Sequence, residues 1–200
     1  AERIARSYGV KTVNVLTGFK YIGEQIGMLE RKGQVKDYIF GFEESYGYLS
    51  GSYVRDKDGV NAAFLICEML AYYKTQGFGL WEKLQELYQE YGYCLNTLHS
   101  YTFEGAAGFQ RMQEIMQVLR NGIDYLGSKR VIQCLDYSAG INGLPKSNVL
   151  KFLLEDNCSV VVRPSGTEPK IKVYVSESAA TEREAEQEEC KVVEKLKGIF

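Results

Sequence analysis

The residues best equipped for chemistry lie in one short run, Arg163-Pro164-Ser165-Gly166-Thr167-Glu168-Pro169-Lys170, set between two apolar stretches. A turn between paired strands needs only roughly two to five residues, and asparagine or aspartate with glycine suffices. This turn instead gathers a guanidinium fork, two hydroxyls, a glycine amide and an ammonium. Those are the donors a phosphate dianion takes: a bidentate arginine, backbone N–H groups and short hydroxyls. Glycine lets the backbone approach the anion, and the two prolines stiffen the loop, which lowers the entropy lost on binding. The competing reading is a rigid hairpin in which Arg163 pairs with Glu168.

Little else in the composition offers a reactive centre. The five cysteines, Cys67, Cys94, Cys134, Cys158 and Cys190, stand singly and are odd in number. Secreted disulfide scaffolds carry dense, even cysteines, so reduced thiols in a cytoplasmic setting are expected. With one histidine, His99, and no C-x-x-C pair, a zinc site is not expected. The net charge of −2 supplies no global field toward nucleic acid or an anionic membrane, so any anion must be held by a local cluster. No apolar run approaches the roughly 18 residues that would span a bilayer, and the longest, residues 62–70, contains Glu68. The first residues, Ala-Glu-Arg-Ile-Ala-Arg, lack a signal-peptide core, lack an initiating methionine and already read as helix. The chain is therefore expected to be a piece of something longer.

The elements that must position this loop follow from periodicity. Residues 2–8 read as the end of a helix with Gly9 as its left-handed stop. An apolar strand is expected over residues 11–16. A helix follows with Ile22, Ile26 and Leu29 on one face and Gly33 as its stop, then a second strand over residues 37–42. Strand, loop, helix, strand is the grammar of an α/β layer, whose strand ends usually carry ligands. Asp58 fits the N-cap of a helix over residues 59–74 that is apolar nearly all round, hence expected to be buried. An amphipathic helix over residues 80–91 presents a stripe of Leu80, Leu84, Leu87, Tyr88 and Tyr91, expected to pack in the core. After Gly92 the pattern changes. A strand is expected over residues 96–103 and a helix through Phe109, Met112, Met116 and Leu119. Strands follow near residues 130–136, 149–155, 158–163 and 170–175. Thr181-x-x-Glu184 is a capping box that opens a last helix. The expected fold is an α/β unit with an incomplete mixed sheet over residues 1–93, followed by an α+β unit with an antiparallel sheet over residues 94–200.

Four segments, in order, resemble the α-D-phosphohexomutases, the phosphoglucomutase and phosphomannomutase family. Thr17-Gly18-Phe19-Lys20 is similar to one substrate loop of the family's third domain, and Gly41-Phe42-Glu43-Glu44-Ser45-Tyr46-Gly47 to its sugar loop. Arg55-Asp56-Lys57-Asp58-Gly59 resembles the segment before its apolar helix. Arg163 to Lys170, followed by Ile-Lys-Val-Tyr, resembles the phosphate loop of the last domain. The resemblance implies the third and fourth domains of a four-domain enzyme that moves phosphate between a sugar's 1- and 6-positions. A phosphoserine gives its phosphoryl group to the free hydroxyl, a bisphosphate intermediate turns over, and the serine takes back the other phosphate. It implies Mg2+ and a sugar bisphosphate as cofactors of the whole enzyme, and its N-terminal domains as partners. By motif match, Glu43 and Ser45 hydrogen-bond the sugar, Thr17 and Gly18 touch its phosphorylated end, and Lys57 adds charge there. Arg163, Ser165, Gly166 and Thr167 hold the phosphate that is not transferred. Lys172, like Lys170, supplies at least positive field.

The family's catalytic serine loop and its aspartate-rich metal loop are absent from these residues, so no catalytic residue and no metal site is expected within them. The strand that opens the third domain is absent too, which predicts an exposed sheet edge that invites a dimer. The preferred sugar, glucose, mannose or a pentose, is open at this level. A stand-alone phosphosugar-binding module without catalysis is the alternative.

Overall fold

Helix boundaries follow the caps and stops. The computed structural model describes residues 1–141, 143–166 and 168–200, arranged as two units, Ala1–Leu87 and Tyr88–Phe200. In the first, α1 (Glu2–Ser7) ends before Gly9 at φ +69°, and α2 (Phe19–Arg31) before Gly33 at φ +69°. Between them, residues 10–16 pair with no strand. The expected strand is not realised because a ladder needs a partner, and none of the described residues supplies one. The second expected strand starts late, since Val35–Asp37 winds as a 3-10 turn. It forms β1 (Phe40–Glu43), which pairs antiparallel with β2 (Gly47–Ser50).

One face of this hairpin packs on α2. Phe19, Ile22, Ile26 and Leu49 form a small core, with Val15, Val35 and Tyr38 packed against it. Burial pushes the Tyr38 phenol up to about 12, and its hydroxyl donates to the Leu49 carbonyl at 3.1 Å. Asp58 caps α3 (Gly59–Thr75) as expected, accepting from the Val60 and Asn61 amides at 2.9 and 3.0 Å. The burial expected for α3 is not found, since none of its residues is buried and Phe64, Ile66 and Tyr72 are exposed. A helix apolar on all sides needs neighbours on all sides, and here its principal neighbour is β2. A groove of about 740 Å³, lined by Phe40, Tyr48, Leu65, Ile66, Met69 and Tyr72, remains on that face. In α4 (Leu80–Tyr91), Leu84 is likewise exposed rather than core.

The second unit holds β3 (Tyr93–Thr102), α5 (Gly105–Arg120), β4 (Tyr125–Leu126), β5 (Lys129–Asp136), β6 (Leu150–Leu154), β7 (Ser159–Pro164), β8 (Lys170–Ala179) and α6 (Glu182–Lys197). The strands form one antiparallel sheet in the order β3-β8-β7-β6-β5-β4. Alternation along β6, β7 and β8 sends Phe152, Val160, Val162, Ile171, Val173 and Val175 into the core shared with α5 and α6. Met112, Met116 and Leu119 join it as expected, whereas Phe109 stays exposed. The residues between the buried ones, among them Lys151, Val161, Arg163, Lys172 and Tyr174, lie on the opposite face and are half-buried. The Thr181–Glu184 capping box forms on α6.

At the far end of β8 the core admits a charge pair. The Lys129 ammonium donates to Glu177 Oε2 and Cys158 Sγ, both at 2.8 Å, and all three residues are buried. Desolvation pulls the Lys129 pKa down, but the bonds to Cys158 and Glu177 outweigh it and hold the ammonium above its ordinary range. Lys129→Met leaves a buried carboxylate whose Oε1 already has no partner among the described residues. We expect a loss of about 3–5 kcal/mol in urea unfolding, the scale of breaking one half of a buried pair. Lys129→Met with Glu177→Leu recovers most of that loss, because an apolar pair leaves no charge uncompensated.

Candidate functional site

In the first unit the loops converge on Glu43. This residue ends β1, and its side chain is 11% exposed. Tyr46, at φ 63°, turns the chain back into β2. A Cβ added to Gly47 would lie 2.8 Å from Glu43 Oε1 and 2.9 Å from Lys57 Cδ, so glycine is what lets both side chains occupy this space. Lys57 Nζ stands 3.8 Å from Glu43 Oε1 and 5.9 Å from the centroid of the Phe19 ring. Phe19 is the first residue of α2, directly after Thr17 and Gly18, and Gly18 caps that helix at φ 118°. Glu43, Lys57 and the Thr17-Gly18 loop are thus brought together. Ser45 and Thr17 are exposed beside them.

The position of Lys57 depends on its neighbours. The Asp58 amide donates to the Tyr48 carbonyl at 2.9 Å, which ties this segment to β2. On the other side, a Cβ at Gly23 would lie 2.4 Å from the Arg55 carbonyl oxygen, so α2 and the segment before Lys57 are in direct contact. Sequence reasoning carried Phe19 and Gly47 only as members of the quoted segments and gave neither them nor Gly23 a role. Glycine at 23 and 47 was the available signal, but only the contacts say why it is needed.

In the second unit the loop between β7 and β8 carries the other group. Register places Arg163 directly opposite Lys172, and both point away from the core. Like charges facing each other across strands are destabilising unless an anion or a carboxylate lies between them. Glu168 does not serve: it pairs with Lys170 at 3.0 Å, and among the described residues no carboxylate pairs with Arg163 or Lys172. Arg163 Nε is buried and, among the described residues, without a partner. The hairpin reading, with Arg163 bonded to Glu168, is not what forms. The Ser165 amide closes the loop on the Lys170 carbonyl at 2.7 Å, and the Phe103 amide holds the Pro169 carbonyl at 2.8 Å. A Cβ at Gly166 would meet no atom within 4 Å, which leaves its backbone open to approach. Thr167 lies outside the described residues. Ser100 of β3 faces Lys172 from the other side, giving a row Ser100–Lys172–Arg163 that only the register discloses.

Comparison with known proteins supplies the family. Residues 1–91 match the family model described as phosphoglucomutase/phosphomannomutase, alpha/beta/alpha domain III, and residues 104–195 match the phosphoglucomutase/phosphomannomutase C-terminal domain. The chain belongs to the phosphoglucomutase/phosphomannomutase family. It corresponds to the C-terminal part of that family. Phosphoglucomutases of Staphylococcus aureus strains USA300 and MSSA476 are 40% and 39% identical over 186 residues. In each, the match covers 86% of this chain and 33% of the relative. The chain thus spans about a third of the length of these curated relatives. The crystal structure of pp63/parafusin, a Paramecium phosphoglucomutase in an open form, aligns with a TM-score of 0.73 at 21% identity. That alignment covers 99% of this chain and 35% of the other, and it shows a shared fold.

Among the described residues, no three His, Cys, Asp or Glu side chains converge to hold a metal ion, and no helix is long and apolar enough to cross a membrane. Asp58 offers a direct check on the Lys57 scaffold. The Tyr53 hydroxyl first, and the Asn61 and Val60 amides after it, hold its carboxyl below the ordinary 3.8. A depressed carboxylate stabilises the fold above its unfolded value and loses that contribution as the pH falls through its folded value. The urea-midpoint gap between wild type and Asp58→Asn should therefore stay constant well above the ordinary carboxylate value and narrow as the pH falls below it.

Proposed function

We propose that this chain is the sugar- and phosphate-recognising part of a phosphoglucomutase-type enzyme that interconverts sugar 1- and 6-phosphates. The observation that carries the reading is the facing Arg163–Lys172 pair, with a buried Nε unpartnered and no carboxylate on either cation among the described residues. A phosphate dianion supplies the missing counter-charge and accepts from a guanidinium fork. The sugar-binding domain is taken as residues 1–93 and the phosphate-binding domain as residues 94–200. Arg163, Ser165, Gly166, Thr167 and Lys172 hold the phosphate that is not being transferred. Glu43, with Ser45, accepts from sugar hydroxyls, while Thr17, Gly18 and Lys57 face the sugar's phosphorylated end. Glu43 suits that task because its side chain is largely buried, so a misplaced hydroxyl leaves a costly unmet acceptor.

The phosphoserine, the bisphosphate turnover and the Mg2+ that neutralises charge belong in this reading to the other domains of the same enzyme. Five free cysteines accord with a reducing, cytoplasmic setting. The edge strands β1 and β3 are candidates for pairing with a second copy. Transfer of a phosphoryl group rests largely on positioning and charge neutralisation, and these loops supply the positioning.

Two substitutions in the enzyme that contains this chain separate the loops. Arg163→Lys keeps the charge and loses the fork, and kcat/KM for glucose 1-phosphate should fall by about 2–4 kcal/mol in transition-state free energy. Unchanged kinetics would mean that the loop is only a hairpin. Glu43→Gln should compress the kcat/KM ratio between glucose and mannose phosphates, with about 1–3 kcal/mol at stake, while inorganic phosphate competes as before. Equal slowing of both epimers would remove Glu43 from sugar discrimination.

A further inference from the structure

Within the phosphate loop, one charge has the wrong sign for its surroundings. Glu168 lies three residues from Ser165 and five from Arg163, in a connection that spans only residues 165–169 between β7 and β8. A phosphate dianion held by that loop would share this short connection with the carboxylate, and exposed charges interact over a screening length of about 8 Å at physiological salt. Left ionised and alone, Glu168 would repel the ligand that the rest of the loop attracts.

Lys170 answers that charge. Its ammonium donates to Glu168 Oε1 at 3.0 Å. The same two residues are joined through the backbone, where the Lys170 amide donates to the Glu168 carbonyl at 2.8 Å. Two bonds across two residues fix the side-chain pair on the descending limb of the loop. Lys170 and Lys172 share one face of β8, and it is the register that separates them: Lys172 stands opposite Arg163, while Lys170 stands beyond the end of that pair, against Thr102 of β3. The two lysines are therefore not equivalent. Lys172 stands in the facing pair with no carboxylate among the described residues, while Lys170 is committed to Glu168.

We propose that Lys170 is a positioning residue for phosphate binding: it neutralises Glu168 and steers that carboxylate aside, and it does not itself ligate the phosphate. This rests on the reading of the 163–172 segment as a phosphate site. The carboxyl of Glu168 is held below its ordinary value first by the bond from Lys170 and further by the field of Lys172, so the clamp's cations already reach it. As an exposed pair it adds little to the stability of the fold, and its effect appears instead in the charge that the ligand meets.

The test is a cycle of four proteins: the 200-residue chain, Lys170→Gln, Glu168→Gln, and the double variant. Each is titrated calorimetrically with inorganic phosphate at about pH 5, where the monoanion prevails, and at about pH 8, where the dianion does. Lys170→Gln should weaken dianion binding about fivefold, the scale of an uncompensated nearby charge at a partly exposed site. The monoanion should suffer less, because repulsion scales with ligand charge. In the Glu168→Gln background the same lysine substitution should change affinity less than about twofold, and Lys170→Arg should restore wild-type binding. An equal loss in both backgrounds, or a loss independent of ligand charge, overturns the proposal and makes Lys170 a direct ligand or a purely structural residue. No phosphate binding by the wild-type chain overturns the phosphate site itself, a result distinct from a cycle that binds but shows no coupling.

Discussion

The facing of Arg163 and Lys172 across β7 and β8 is the constraint on which the second unit turns. Strand geometry leaves no freedom in it. Once Val162, Ile171 and Val173 take the core, their neighbours in sequence must emerge on the other face, and the register sets the two cations side by side. A slip of one residue would send both into the core, which α5 and α6 fill with methionine, isoleucine and leucine. Hydrophobic patterning thus holds two like charges face to face, with no carboxylate paired to either among the described residues. In the proposed reading, the loop that joins the strands has only to add donors beside a pair already in place.

The first unit solves a similar problem with fewer elements. Its site is assembled by close approach: α2 meets the segment before Lys57 at Gly23, and Glu43 meets Lys57 over Gly47. A carboxylate, an ammonium and the Phe19 ring share one small region. The core beneath is only a few residues deep. The placing of Glu43 depends more on these contacts than on a large buried body.

Much of this was legible in the sequence because its signals are local. The Thr181–Glu184 box, the Asp58 cap and the stops at Gly9 and Gly33 each describe an interaction within a few residues, and each forms. The alternation of Ile171, Val173 and Val175 likewise predicts its own half-burial. What failed was non-local. Residues 11–16 have the composition of a strand, but composition cannot supply a partner, and none of the described residues pairs with them. The apolar character of α3 speaks of neighbours on all sides, while among the described residues it has few. The candidate phosphate loop was found by its donors, whereas the facing of Arg163 and Lys172, the role of Gly47 and the row through Ser100 all depend on register or contact. No one-dimensional pattern carries those.

The strand that presents Lys172 also carries Glu177, five residues further on, in the buried pair with Lys129. It is flanked by β3 on one side and β7 on the other along much of its length. Backbone amides of β8 therefore have no cheap local route to solvent, and their hydrogen exchange should proceed only through opening of the whole unit. Lys172 is therefore mounted on the strand of this sheet that is slowest to open, so its charge keeps a fixed position while the unit stays folded.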